Sequence, residues 1–379
     1  MKTYEEINEK IKNGKAVVLT AEEVSKMSET CSYDEIAKKV DVVTTATYSP
    51  MCSSGVFINF GHANPGIRIE KATINKVPVF TGLAAVDAYI GAAEENPDNE
   101  KYGGANIIEE LIAGNDLYLE GTGKGTDCYP RKEVKAYINK NNVNEITMFN
   151  PRNSYQNYGA ATNTTNKTLH TYMGTLLPDV GNINFATSGE LSPLLNDPYL
   201  KTIGIGTRIF LCGAQGYISW SGTQSNTSQE RNDKGIPLDG AATLAVIGDV
   251  KKMIPGFLKA AYFEKYGVSV FIGIGIPIPI LDAEIAKYVS VKNRDIETTI
   301  SDYSKPGHPA IATVNYEQLF SGEINLKGNK IKSAPMSSLY KAREIASLLK
   351  HQIEKGEFLL SKPVENFTEN KGLNSLKAL

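Results

Sequence analysis

Two of the four cysteines occur where a thiol can do chemistry. Cys52 lies in a loop of small residues directly after a strand-like segment, and Cys128 follows a glycine-rich loop. At such loop edges, backbone N–H groups can stabilise the thiolate, which is the reactive form of cysteine. Cys212 lies in an apolar segment and indicates core packing, whereas Cys31 lies between polar helical segments and looks incidental.

Charged residues near the two thiols are candidates for stabilising a thiolate or binding a substrate. Arg131 follows Cys128 closely, and a nearby cation favours the thiolate, whereas the carboxylate of Asp127 opposes it. His62 follows Cys52 and is a candidate base or substrate-orienting residue, but a buried structural histidine explains it equally well. The residue types alone therefore leave both the reactive and the structural interpretation open.

Other catalytic signatures are incomplete or absent in the sequence. The glycine-rich segment 121–125 lacks the ending of a phosphate-binding P-loop, and segments 204–206 and 273–275 lack the third glycine of a dinucleotide fingerprint. We interpret these glycines as sites of tight turns or close backbone approach. There is no Gly-x-Ser-x-Gly motif and no Cys/His cluster, so the sequence predicts neither a serine hydrolase nor a bound metal.

The composition is that of a globular protein. The chain has 379 residues, of which 41% are hydrophobic and 22% charged, and its net charge is −2. This length buries a large core without disulfides, and the balanced charge gives no reason to expect a nucleic acid or a membrane as partner. Because the N-terminus is polar and no apolar run is long enough to span a bilayer, we expect a cytoplasmic protein with reduced thiols.

The elements that must position these residues alternate between helices and strands. Capping patterns predict three helices within residues 1–40, and a Val- and Thr-rich strand over 41–47 leads into the Cys52 loop. Further helices are predicted at 84–93, 105–113, 132–139, 249–262, 282–288 and 337–355, and further strands at 56–60, 77–80, 117–120, 203–220 and 268–276. The mixture predicts one large α/β domain, with α+β as the alternative.

The segment 150–195 is rich in Asn, Thr, Tyr and Gly and has no sustained period. An irregular region of this length inside a compact protein is usually functional. The alternative is a set of surface loops over an all-β core.

Eight segments resemble the homocysteine biosynthesis (HcyBio) family of anaerobic archaea and bacteria. They are VVTT (42–45), PMCSSG (50–55), NFGH (59–62), GTDCYPRK (125–132), NPRN (150–153), YMGTLLP (172–178), SPLLNDP (192–198) and GIGTRIFL (204–211). The similarity spans nearly the whole chain, to about residue 360. Motifs of this length, in this order, are specific.

The resemblance implies cysteine-dependent L-aspartate semialdehyde sulfurtransferase activity, a step of homocysteine and methionine biosynthesis. Reduced sulfur, from sulfide or a cysteine persulfide, is placed on the aldehyde carbon to give L-homocysteine. The two important cysteines of the family match Cys52 and Cys128. The substrate-binding candidates are His62, Asp127, Arg131 and Arg152. Either arginine suits the carboxylate, and the aspartate suits the ammonium group or proton transfer.

The implied chemistry needs electrons from outside the chain. Adding sulfide to an aldehyde and losing water gives a thioaldehyde, which is still two electrons short of a thiol. The chain lacks the cysteine spacing of an iron–sulfur cluster, so we expect no bound cofactor and a low-potential, ferredoxin-like donor in trans. Closure of a disulfide between the thiols of Cys52 and Cys128 would supply one electron pair. Both are therefore expected to open onto one cleft, with Arg131 or Arg152 and with His62.

One catalytic domain is expected over residues 1–365, followed by a polar tail at 366–379, with no CBS or ferredoxin domain. Some members of the family append paired CBS domains, and others work beside a separate ferredoxin-like protein. The expected partners are L-aspartate semialdehyde, a sulfide or persulfide donor and the ferredoxin-like protein, and the sequence is compatible with a homo-oligomer. Two other function classes stay open. One is a non-catalytic persulfide carrier, and the other is a small-molecule-binding or regulatory protein with structural cysteines.

Overall fold

The computed structural model describes residues 1–368 and 372–378. Within these residues the chain contains eight α-helices, which alternate with strands and confirm the mixed α/β class. In chain order, α1 to α8 are Tyr4–Lys12, Ala21–Met27, Tyr33–Lys39, Gly104–Ala113, Pro193–Asn196, Ala283–Tyr288, Tyr316–Phe320 and Leu339–Glu354. Short 3₁₀ helices occur at Gly189–Leu191, Val250–Lys252 and Asn293–Asp295.

The strands of the described residues are numbered β1 to β24. In chain order they are Val18–Thr20, Val42–Pro50, Gly55–Asn59, Lys71–Ile74, Val77–Val79, Asp87–Gly91, Glu95–Asn96, Asn99–Gly103, Leu117–Thr122, Glu133–Ile138, Glu145–Asn153, Ala160–Thr162, Leu169–Thr171, Gly174–Leu176, Ile183–Phe185, Arg208–Leu211, Ala214–Ser221, Leu244–Asp249, Leu258–Phe263, Gly267–Pro279, Glu297–Asp302, Ala310–Asn315, Glu323–Leu326 and Asn329–Pro335.

Most strands belong to three sheets. The largest has ten strands in the order β1-β2-β20-β16-β17-β18-β11-β3-β6, with β19 paired to β20. A six-stranded sheet has the order β22-β21-β12-β15-β24-β23, and a four-stranded sheet has the order β10-β9-β4-β5. The ten-stranded sheet packs on the main hydrophobic core, and the six-stranded sheet has a smaller core of its own.

The three N-terminal helices begin where their capping boxes predict. In each, a hydroxyl accepts a hydrogen bond from the backbone three residues later, and a glutamate side chain accepts one in return from the capping backbone. The pairs are Thr3–Glu6, Thr20–Glu23 and Ser32–Glu35. Because these bonds join residues close in sequence, the sequence is sufficient to locate the helix starts.

The longest strand pairing of the large sheet is the antiparallel pair β2 and β20, aligned over residues 42–50 and 271–279. Helix α8 covers this pair and buries Ile345 against it. A Cβ atom at Gly273 would lie 2.8 Å from Ile345 Cδ1, and one at Gly275 would lie 3.1 Å from Cγ2 of the same residue. These glycines therefore allow the helix and sheet to approach closely, which confirms their interpretation from the sequence.

Three predicted helices are wrong. Segments 84–93 and 132–139 contain β6 and β10, and segment 249–262 contains a 3₁₀ turn followed by β19. Both β10 and β19 pair along their whole lengths, with β9 and β20. Helix-forming residues such as the Leu, Lys and Ala of β19 accept the extended state there because strand pairing outweighs intrinsic propensity.

The irregular segment 150–195 contains short elements rather than only loops. It includes the end of β11, strands β12 to β15 and helix α5. Strands β12 and β15 belong to the six-stranded sheet, so the segment connects the two large sheets.

The C-terminal region follows α8 without further helices or strands in the described residues. Of the predicted polar tail at 366–379, residues 369–371 and 379 lie outside the described part of the chain. Among the described residues, no helix is both long and apolar enough to cross a membrane.

Candidate active site

A concave pocket lies where the ten-stranded and six-stranded sheets meet. It encloses about 130 Å³ and opens to solvent, a volume comparable with that of cavities that hold one small organic molecule. Its wall is built from the ends of β2 and β11, the β13–β14 turn, the β19–β20 hairpin and helices α5 and α7. The lining includes Cys52, Ser53, Arg152, Tyr155, Tyr158, Tyr172 and Tyr266.

Cys52 lies in the tight turn between β2 and β3, with its side chain half-buried. The Met51 N–H donates to the Val270 carbonyl at 2.7 Å, which ties the turn to β20. The Ser54 N–H and hydroxyl both donate to the Met51 carbonyl, at 3.1 and 2.7 Å. The turn thereby holds the thiol at the pocket wall, with its Sγ 3.9 Å from the Tyr266 hydroxyl oxygen.

Arg152, near the end of β11, brings positive charge to the pocket wall. Its Nε donates to Thr223 Oγ1 at 3.1 Å, and its Nη1 donates to Gln224 Oε1 at 2.5 Å. Gln224 has a φ of 59°, a left-handed conformation that is uncommon for a residue other than glycine. This residue supplies one of the two side-chain acceptors that hold the guanidinium.

A buried carboxamide connects the thiol turn to β11. The Ser53 hydroxyl lies 3.3 Å from Asn150 Oδ1 and 3.2 Å from the Arg152 carbonyl oxygen. The same Asn150 oxygen accepts from the Arg152 N–H at 2.9 Å. Asn150 is fully buried, and its Nδ2 has no partner among the described residues. The network therefore fixes the thiol and the cation relative to one another.

Five tyrosines form much of the remaining wall: Tyr155, Tyr158, Tyr172, Tyr266 and Tyr316. Burial raises the pKa of Tyr155 and Tyr158, and burial together with the neighbouring Cys52 raises the pKa of Tyr266 to about 12. These phenols are therefore protonated at neutral pH and available as hydrogen-bond donors. Tyr172 donates to the Tyr303 hydroxyl at 3.1 Å, which orients its ring.

Hydroxyl groups of β2 also line the pocket. Thr47 and Ser49 are two residues apart on the strand, so their side chains share a face. Their oxygens are 3.0 Å apart, and Ser49 Oγ lies 2.6 Å from Ser337 Oγ. All three residues are buried, so the hydrogen bonds between them satisfy polar groups that would otherwise be unpaired.

Cys128 lies on a different loop and is exposed. Reciprocal backbone hydrogen bonds of 2.9 and 3.1 Å between Thr126 and Tyr129 make a tight turn around it. The ring of His62 stacks on that of Tyr129, with centroids 5.7 Å apart and planes 9° apart. The predicted histidine thus lies beside the second cysteine loop rather than beside the first.

Arg131 anchors the same loop. Its Nε donates to the Pro65 carbonyl and its Nη2 to the Asn64 carbonyl, both at 3.0 Å. Asp127 is exposed within the turn. The guanidinium therefore holds two loop segments together through backbone oxygens.

The predicted site residues fall into two groups. Cys52 and Arg152 share the pocket, whereas Cys128 lies with the other three candidates outside the pocket lining. Strand β3 begins just after the Cys52 turn and ends just before the His62 loop, and its five residues span about 13 Å. Cys128 is therefore not among the residues that line the Cys52 pocket, and a cleft shared by both cysteines stays a prediction.

Most residues of the pocket wall were not among the site residues predicted from the sequence. The segment 150–195, predicted to be functional, supplies Tyr155, Tyr158 and Tyr172, and its tyrosine content was the available signal. Tyr266 carried no such signal, and Asn150, which begins the NPRN segment, carried none for its role as a hydrogen-bond acceptor. Their roles depend on contacts with residues far away in sequence.

Two further sequence predictions concern groups outside the pocket. Cys212 is fully buried, and burial raises the pKa of its thiol to about 12, which confirms the core-packing interpretation. Among the described residues, no group of three or more His, Cys, Asp or Glu is placed to hold a metal ion.

Comparison with known proteins identifies the family. The model of the HcyBio family, described as "Homocysteine biosynthesis enzyme, sulfur-incorporation", matches residues 16–360. The chain belongs to this family, as its motifs predicted. No solved structure matches it significantly.

Two similar proteins carry a more specific name. The L-aspartate semialdehyde sulfurtransferase of Methanosarcina acetivorans is 45% identical over 379 residues, covering 99% of this chain and 74% of the relative. The protein of the same name from Methanocaldococcus jannaschii is 47% identical over 395 residues, covering 99% of this chain and 75% of the relative. An uncharacterized protein of Methanothermobacter thermautotrophicus is 26% identical over 332 residues, covering 84% of this chain and 72% of the relative.

Proposed function

We propose that the protein is an L-aspartate semialdehyde sulfurtransferase that forms L-homocysteine. The main supporting observation is the position of Cys52, a half-buried thiol that lines a substrate-sized pocket together with Arg152. The names of the two methanogen relatives support the same reaction. In net terms, the aldehyde, hydrogen sulfide, two electrons and two protons give the thiol and one water.

Cys52 is the group that delivers sulfur to the aldehyde carbon in this proposal. With a persulfide donor, Cys52 carries the outer sulfur of a persulfide, which bonds to the aldehyde carbon and is released when two further electrons reduce the S–S bond. With sulfide, the Cys52 thiolate itself adds to the carbon and is then displaced by hydrogen sulfide. Arg152 binds the substrate carboxylate, because a guanidinium matches a carboxylate in charge and shape. Its contacts with Thr223 and Gln224 hold it in place for this task.

Cys128 serves as the exchange thiol for external donors. It is exposed, so a sulfur or electron donor can reach it, and thiol–disulfide exchange requires such access. Arg131 and His62 position its loop through their contacts with the 64–65 backbone and Tyr129. Asp127, exposed beside this thiol, takes part in proton transfer there. The reducing equivalents come from a low-potential, ferredoxin-like protein in trans, and the chain itself binds no cofactor.

A non-catalytic persulfide carrier is the second candidate function. The exposure of Cys128 outside the pocket favours it, because a carrier needs an accessible thiol more than a substrate pocket. The pocket around Cys52 favours the enzyme.

Incubation of the protein with L-aspartate semialdehyde, sulfide and a low-potential reductant tests the proposal. Homocysteine that accumulates over many turnovers, measured by mass spectrometry, is the expected result. When a persulfide donor replaces sulfide, persulfide formation on the protein and transfer to an acceptor thiol, with no homocysteine at any aldehyde concentration, would identify a carrier instead.

A further inference from the structure

Tyr266 is held beside the Cys52 thiol by its own hairpin. It lies in the turn between β19 and β20, and its N–H donates to the Phe263 carbonyl at 2.9 Å. Its ring contacts Phe263, at a centroid distance of 6.3 Å, and meets Tyr172 edge-on at 6.1 Å. Because backbone and ring are both packed, the hydroxyl has a defined position at the pocket wall.

The position of the Tyr266 hydroxyl suits a group that donates a proton to the aldehyde oxygen of the substrate. The Tyr266 oxygen lies 3.9 Å from Cys52 Sγ. When sulfur bonds to an aldehyde carbon, the carbonyl oxygen is attached to the same carbon, and an O–H···O hydrogen bond spans about 2.7 Å. A hydroxyl at this distance from sulfur can therefore reach that oxygen. Its raised pKa keeps the phenol protonated until a stronger base develops on the substrate.

We propose that Tyr266 is a further catalytic residue, the acid that protonates the aldehyde oxygen as the sulfur carried by Cys52 adds to the carbon. This inference rests on the proposed function. In the step, the new carbon–sulfur bond forms as the carbon–oxygen π bond breaks, and the oxygen takes the phenolic proton to give a thiohemiacetal. The phenolate then regains a proton from water, so no oxidant or reductant takes part.

The test compares Tyr266→Phe with Tyr262→Phe. Tyr262 lies on the same hairpin but outside the pocket lining, with Lys101 over its ring at 5.9 Å, so its variant controls for loss of a hydroxyl. Two rates are measured for each variant: homocysteine formation, and alkylation of Cys52 by iodoacetamide. Alkylation needs the thiolate but no acid on an oxygen atom.

For Tyr266→Phe we expect kcat to fall about 100-fold while KM and the alkylation rate change by less than about threefold. The Tyr262→Phe variant keeps all three values. An unchanged kcat in Tyr266→Phe overturns the assignment, and so does an equal loss in turnover and alkylation, because that result would mean that the hydroxyl only positions the thiol.

Failure of the proposed function is separable from failure of this inference. If wild-type protein makes no homocysteine with any reductant, the proposed function fails. The acid role is then decided by how fast L-aspartate semialdehyde protects Cys52 from iodoacetamide. If protection develops about 100-fold more slowly in Tyr266→Phe than in wild-type protein, the acid role is supported. Equal rates of protection in the two proteins overturn it.

Discussion

At the scale of the residue, the pocket depends on a few polar contacts between distant parts of the chain. Asn150 accepts hydrogen bonds from Ser53 and from the Arg152 backbone, so one buried carboxamide positions both the thiol turn and the cation. A hydrogen bond to a buried group of this kind is worth about 1 kcal/mol net, but losing one partner costs more. The chemistry of Cys52 therefore depends on residues that do not touch the substrate.

Cysteine substitutions test the assignments at this scale. Cys52→Ser and Cys128→Ser are each expected to lower homocysteine formation by at least about 1,000-fold, because a hydroxyl neither carries sulfur nor exchanges disulfides. Cys31→Ser, a change at a half-buried thiol outside the pocket, is the matched control and keeps activity. The measurement is steady-state homocysteine formation by folded variants. Full activity in the double Cys52→Ser, Cys128→Ser variant would contradict the covalent mechanism.

At the scale of the element, β2 and β20 position the Cys52 turn, and α8 packs over this pair. The close approach of α8 requires glycine at two positions of β20. The ion pairs of Asp41 attach α1 to the start of β2. Each feature can be tested by a stability measurement that does not depend on the function.

Gly273→Ala is expected to destabilise the protein by about 1–3 kcal/mol, because the added methyl group overpacks the core. It would meet Ile345 at 2.8 Å and the Phe257 carbonyl at 3.0 Å. Gly91→Ala is the control, since its nearest atom, on Tyr89, is 3.8 Å away. Urea unfolding measures the free energy of unfolding of both variants and of wild-type protein. Equal stability of the two variants would show that α8 leaves room for a methyl group at residue 273.

Asp41 gives the fold a pH dependence of known sign. Burial alone would raise the pKa of its carboxyl, but hydrogen bonds from Lys10, Lys2 and the Val17 N–H lower that pKa below its ordinary value. The charged Asp41 carboxylate therefore stabilises the folded state at pH values above the ordinary pKa of aspartate. This stabilisation is lost as the pH falls through the lowered pKa of the folded state. Relative to Asp41→Asn, wild-type protein is expected to be more stable by about 2 kcal/mol at neutral pH.

The expected decrease of that difference in acid is measured by urea unfolding of both proteins between about pH 7 and pH 3. A difference that is constant across this range would contradict the ion-pair contribution of Asp41.

At the scale of the whole molecule, the two cysteine loops lie near opposite ends of β3. One belongs to the pocket between the two large sheets, and the other belongs to the four-stranded sheet and the His62 loop. This separation divides the proposed chemistry into an internal step on the aldehyde and an external exchange with donors.

Purified protein given only sulfide and L-aspartate semialdehyde is expected to form at most about one homocysteine per chain, because its two thiols release one electron pair only by closing a disulfide, which their separate positions disfavour. Adding a low-potential electron donor restores continued formation of homocysteine. The ratio of homocysteine to protein is measured before and after the donor is added. Sustained turnover without any donor would contradict the external supply of electrons.

The sequence alone predicted those features that depend on neighbours in the chain. The starts of α1, α2 and α3 follow from hydroxyl and glutamate side chains three residues apart, whose hydrogen bonds form within one turn. The motifs around Cys52 and Cys128 were sufficient to identify the family, and the burial of Cys212 followed from its apolar neighbours.

Only the tertiary structure decided which distant residues meet. Segments 132–139 and 258–263 are strands because β9 and β20 supply backbone partners, a gain that local propensity cannot register. The same applies to the site: Tyr266 reaches Cys52 from 214 residues away, and Asn150 reaches Ser53 from 97. Cys128 looked equivalent to Cys52 in sequence, yet its loop packs against residues 62–66 instead of the pocket. Such placements depend on the packing of whole sheets, and no local pattern of residues encodes them.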